Sequence, residues 1–149
     1  MKSKSEELQK LTPLSLDELK AMLPAEIMGA KKENEEAMKM GGLANFAKAK
    51  YKINDSTDID LSIFDCAGTM GAGYYNAMFF SRMEFEQDNE REYTKSTDFN
   101  GGKAIEKCRK DRNDCEFTYF GGERCLVVLK GDNVGIDKLK DVAKGISLK

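Results

Sequence analysis

Histidine is absent from this chain of 149 residues. That absence excludes serine- and cysteine-type triads that use imidazole as base. It also excludes zinc sites that need histidine and any histidine-based pH switch. A CxxC pair is missing too. The four cysteines, Cys66, Cys108, Cys115 and Cys125, fall at irregular spacings, so neither a redox dithiol motif nor a zinc ribbon is supported. No stretch approaches the eighteen or so apolar residues of a membrane-spanning helix. Excess charge of one sign is lacking: 24 basic and 26 acidic residues leave a net charge of -2, with no global pull toward nucleic acid or an anionic membrane. The first residues, Met1-Lys2-Ser3-Lys4-Ser5-Glu6-Glu7, carry no apolar core of a signal peptide. No paired carboxylates stand out as an acid–base set, so no catalytic residue, metal site or cofactor is expected.

The hydrophobic share of 40% and charged share of 34% fit one domain large enough for a real core. Residues 1–12 read as a flexible polar tail and 13–149 as a single α+β domain. Ser15 followed by Glu18 forms a capping box, with Leu14 and Leu19 in the staple positions. Leu16, Leu19, Met22 and Leu23 make the apolar stripe of that helix, which Pro24 ends. A short strand is expected over 26–32, and 33–42 reads as a long connection or a frayed strand. Lysines alternate with small or apolar residues from Ala47 to Ile53. Ile59, Leu61 and Ile63 alternate with Asp58, Asp60 and Ser62. These two strands should form a hairpin around Asn54-Asp55-Ser56-Thr57. Residues 74–83 read as a buried helix, and 136–146 as a final amphipathic one.

The remaining segments read as strands over 90–99, 103–109, 115–120 and 123–130, joined by turns, and tight turns imply antiparallel pairing. The run Cys125–Leu129 is apolar on both faces, which implies burial from both sides. The expected architecture is a largely antiparallel sheet of about six to seven strands covered by helices on both faces.

Five clusters could carry chemistry or binding. A tip at Asp111-Arg112 brings Cys108 and Cys115 into direct opposition, making them the disulfide candidate. A two-residue tip at Gly121-Gly122 sets Cys125 opposite Thr118. The acidic run Asn54–Asp60 lacks the glycine and terminal glutamate of a calcium loop and reads as a turn and a solvated strand face. The glycines Gly68, Gly71 and Gly73 match neither GxxxxGKS/T nor GxGxxG. If a small-molecule or ion-binding site exists here, a helix N-terminus in this turn is where an anion would sit, with Gly71 and Gly73 as candidates. Lys103, Lys107, Arg109, Lys110 and Arg112 cluster on one hairpin. Acidic residues interrupt them, so they read as a solvated face and not as a nucleic-acid surface. Tyr74, Tyr75, Met78, Phe79, Phe80 and Met83 exceed what one buried face needs, and the excess marks a candidate partner surface.

The leading helix ending Leu23-Pro24, the hairpin Ala47–Cys66 and the glycine-rich apolar helix resemble a group of uncharacterised bacterial exported proteins. Tyr93-Thr94-Lys95, Asn100-Gly101-Gly102-Lys103, Glu106-Lys107 and the closing Gly122-Glu123-Arg124 strand with its C-terminal helix extend the resemblance over most of the chain after residue 12. The element order is similar to the Mog1/PsbP-like sandwich. The resemblance implies an interaction or assembly protein of the cell envelope, without enzymatic activity. It also implies a protein partner, no nucleic acid and an extracytoplasmic location, with a possible lipid anchor on the precursor. The alternatives are a small-molecule or ion-binding domain using the Gly68–Gly73 turn, with an enzyme third, and, for location, the cytoplasm.

Overall fold

In the computed structural model, residues 4–39, 44–82 and 84–148 are described. The elements in chain order are α1 (Lys4–Gln9), α2 (Leu16–Ala21), β1 (Glu26–Ile27), β2 (Ala30–Met38), β3 (Asn45–Asn54) and β4 (Thr57–Asp65). There follow α3 (Gly68–Met78), a 3₁₀ turn at Phe80–Arg82, β5 (Gln87–Asp88) and β6 (Glu92–Phe99). The chain closes with β7 (Gly102–Arg109), β8 (Cys115–Gly121), β9 (Cys125–Asp132) and α4 (Ile136–Lys144). All nine strands join one sheet in the order β1-β2-β3-β4-β9-β8-β7-β6-β5, every pairing antiparallel.

Alternation along the strands sorts the side chains into two faces. Ile59, Leu61 and Ile63 of β4, Cys125, Val127 and Leu129 of β9, and Phe117 and Tyr119 of β8 point into the larger core. Leu19 and Leu23 cover it from the α2 segment and Leu139 and Ala143 from α4. Two tyrosine hydroxyls fasten this cover. Tyr51 donates to the Pro24 carbonyl at 2.6 Å and Tyr119 to the Ala143 carbonyl at 3.4 Å. On the opposite face Leu8 of α1 and Ala72, Tyr75 and Phe79 of α3 pack over Ile105 and Leu126.

The expected sheet of six to seven strands clad by helices on both faces is overturned. Nine strands form, and the four helices are 6, 6, 11 and 9 residues long, too short to clad such a sheet. At 1.5 Å per residue even α3 spans only about 16 Å. The double-sided apolar run in β9 reports burial at one end only, since Lys130 further along the same strand is exposed.

Three local expectations also change, and one open choice is decided. Within 1–12, Lys4–Gln9 is helical and Leu8 is fully buried, so that part is not a tail. Of the two readings of 33–42 the strand holds, since most of it belongs to β2, an outer strand whose polar sequence shows no alternation. Gly41-Gly42 lies outside the described residues. The glycine turn is the first part of α3, which begins at Gly68 and not at Tyr74. At the β8–β9 turn, Gly122 and Glu123 both adopt left-handed backbone, and the three-residue loop sets Cys125 opposite Gly121; Thr118 faces Val128.

Candidate functional site

Three places on the surface concentrate polar or exposed apolar groups. The first is an open hollow of about 620 Å³ where the chain enters α2 and α3, lined among others by Leu14, Ser15, Asn45, Gly68, Thr69 and Gly71. Behind two of its lining residues, Leu14 and Ala67, lies a buried ionic knot. The Asp65 side chain is 0% exposed and takes Arg124 in a bidentate grip, Nε to Oδ1 at 3.0 Å and Nη2 to Oδ2 at 3.1 Å. The Leu14 and Ala67 backbone N–H groups donate to the same carboxylate at 2.6 and 3.2 Å, and Arg124 Nη2 donates to the Thr12 carbonyl at 2.6 Å. With every lone-pair direction used, this carboxylate binds the N-terminal segment, β4, α3 and β9 together and is not free to act as a base.

Gly71 lines this hollow, but its role is contact. A Cβ there would lie 2.5 Å from the Cys66 carbonyl carbon, so glycine lets α3 touch the β4–α3 connection. Gly73 is exposed, has nothing within 4 Å of its Cβ direction and does not line the hollow. The two candidates therefore do not converge on one site.

The second place is the connection from α3 to β5. Met78 is 40% exposed, Phe80 60% and Phe85 45%, whereas Tyr75 and Phe79 of the same stretch are buried. Exposed Glu84, Glu86 and Glu90 follow, and none makes an ion pair among the described residues. The Met83 side chain lies outside the described residues. β5 pairs only with Thr94 and Tyr93, so the outer edge of β6 from Lys95 to Phe99 has no neighbouring strand among the described residues.

The third place is the open sheet face beside α3. The register lines up three rows across the strands. Phe46, Phe64, Leu126 and Phe120 form the row nearest α1 and α3. Next come Lys48, Ser62, Val128, Thr118, Ile105 and Ser96. The third row alternates in charge across its middle: Lys50, Asp60, Lys130, Glu116, Lys107 and Thr94. A hollow of about 280 Å³ lies where α3 and the 3₁₀ turn meet these rows. No motif announces this site, because its residues come from β4, α3, β8 and β9 and only the sheet register gathers them.

The cysteines divide. Cys108 and Cys115 face each other across β7 and β8 and are joined in a disulfide. Cys66 and Cys125 are free and fully buried, and burial pushes each thiol up to about 12. They sit on neighbouring strand ends, but Cys66 belongs to the smaller core and Cys125 to the larger. The basic hairpin residues are all paired with carboxylates: Lys103 with Asp98, Lys107 with Glu92, Arg109 with Asp111, Lys110 with Asp88 and Arg112 with Asp114. Asp58, Asp60 and the adjoining turn form no metal-holding group among the described residues. No described helix is long and apolar enough to cross a membrane.

Glu106 is the other buried carboxylate, 5% exposed, under α4. Tyr93 Oη donates to it at 3.3 Å, and Lys95 and Lys140 approach at 3.8 Å. It ties α4 to the β6–β7 hairpin from inside the sheet.

Compared with protein-family models, curated proteins and solved structures, the chain matches none. The fold therefore places it only in a broad class, an antiparallel sheet protein with short helical cover.

Proposed function

We propose that the protein is a non-enzymatic protein-binding or assembly module of the bacterial cell envelope, docking a partner on the α3–β5 connection. The observation that carries this reading is the joint exposure of Met78, Phe80 and Phe85 on the segment that leads into β5, whose partner β6 has no neighbouring strand from Lys95 to Phe99 among the described residues. Large exposed hydrophobics on one segment are costly in an isolated soluble chain, and an apolar patch with a polar rim is the usual form of a docking surface. The flanking Glu84, Glu86 and Glu90 repel an anionic bilayer and favour a partner with basic groups at its rim. The Cys108–Cys115 disulfide supports an extracytoplasmic setting, where such bonds persist.

The test compares wild type with F80S/F85S. Both side chains are exposed, so the variant should keep its melting temperature within about 2 °C. Affinity capture from an envelope extract should recover a partner with wild type and lose it with the variant. Recovery of the same proteins by both, or no recovery by either, overturns the reading.

A further inference from the structure

The hollow on the open sheet face holds charged groups that the fold does not use. Its floor is Phe64, Leu126 and Val128, its wall Tyr74 and Met78, and Arg82 closes one side. Ser62 and Thr118 stand on either side of Val128 in the sheet register, and neither hydroxyl makes a hydrogen bond among the described residues. Asp60, Lys130 and Glu116 form the far rim. Asp60 is engaged by Lys50 at 3.8 Å. The side chains of Arg82, Lys130 and Glu116 join no ion pair or hydrogen bond among the described residues. Arg82 and Glu116 are only partly exposed, so each has given up part of its hydration without gaining a partner.

We propose that this hollow binds a small zwitterion with an apolar side chain, of the α-amino acid class. Two uncommitted cations and one uncommitted carboxylate match a ligand carboxylate and a ligand ammonium. The apolar floor and wall match a side chain between them. A simple anion leaves the apolar floor uncovered and Glu116 unanswered. A simple cation meets Arg82 and Lys130. At about 280 Å³ the space falls just below the roughly 300–1,000 Å³ usual for small-molecule sites, which suits a ligand of amino-acid size. Lys130 and Glu116 also line the neighbouring hollow that runs toward Lys107 and Arg109, so their side chains form the ridge between the two.

The experiment is an amide-resolved NMR titration of the full chain with L-phenylalanine, beside 3-phenylpropionate, which lacks the ammonium, and 2-phenylethylamine, which lacks the carboxylate. L-Phenylalanine should give saturable shifts at Ser62, Thr118 and Val128, and each analogue should bind at least tenfold more weakly. R82Q and E116Q should each weaken L-phenylalanine at least tenfold. Neither side chain is bonded internally, so both variants should keep the wild-type spectrum elsewhere. F80S/F85S should bind L-phenylalanine as wild type does, which separates this site from the docking surface. Three results overturn the proposal: no saturable shift with any probe, equal binding of all three, or binding untouched by R82Q and E116Q.

Discussion

Gly71 and Gly73 lie two positions apart in α3, yet they should respond in opposite ways to the same change. A Cβ at Gly71 meets the Cys66 backbone at 2.5–2.9 Å, and backbone cannot swing aside. G71A should therefore push α3 off the sheet and cost about 1–3 kcal/mol, the usual cost of overpacking. At Gly73 the added methyl meets open space inside a helix, so G73A should be neutral or gain up to about 1 kcal/mol. Urea denaturation of the two variants checks both signs, and equal effects would contradict the packing described for α3. Asp65 offers a harsher case. Removing its charge in D65N strands Arg124, whose side chain is 19% exposed, and loosens the acceptor of two backbone N–H groups. Breaking a buried pair from one side costs about 3–5 kcal/mol, and the same denaturation should find D65N among the least stable variants of the chain. A loss below about 1 kcal/mol would mean that the N-terminal segment does not depend on the knot.

Elements differed in how plainly their residues announced them, and burial explains the difference. The strands β3, β4, β7, β8 and β9 each set at least one face into a core, so alternation or an apolar run was there to read. β2 buries no residue fully; its outward sequence Lys-Glu-Asn-Glu-Glu is what a charged outer strand uses to resist pairing with another chain. α1 buries only Leu8, and one residue has no period. The start of α3 was hidden by glycines that read as a turn but serve close packing. The open-face hollow was illegible for a different reason: its groups come from separate elements, and no spacing along the chain predicts their meeting. Cys108 and Cys115 could be paired on paper because they lie seven positions apart across one hairpin. Closing so short a loop restrains the unfolded chain by about 2 kcal/mol in the chain-entropy account. C108S/C115S should lose about that much in urea without reductant, and reductant should then lower wild type but not the variant. Insensitivity of wild type to reductant would show that the hairpin gains nothing from the bond.

For the molecule as a whole, the lack of histidine becomes a statement about stability against pH. The resolved shifts fall into two groups that leave a gap between them. Hydrogen bonds from Ser15 hold Glu18 below the usual carboxylate range, and Lys32, Lys103 and Arg109 do the same for Glu35, Asp98 and Asp111. These groups favour the folded state above their unfolded pKa, and the contribution is lost as pH falls through the lowered folded value, in the acid range alone. Burial pushes Cys66 and Cys125 the other way, up to about 12, and raises Tyr51 similarly. For the thiols the folded state favours the protonated form. Stability is complete below the ordinary thiol pKa near 9; between there and about 12 the unfolded chain ionises while the folded one resists. Each thiol then removes about 1.4 kcal/mol per pH unit. Unfolding free energy should consequently be flat from about pH 6 to pH 8, where few ordinary side chains titrate once histidine is absent. It should fall above pH 9. C66A/C125A will start from a lower plateau, because two buried groups are trimmed, but should decline less steeply between pH 9 and pH 10, before tyrosines enter. Denaturation at half-unit pH steps decides the matter. A slope shared by wild type and the double variant would mean that the alkaline loss comes from elsewhere, and the two buried thiols would drop out of the account.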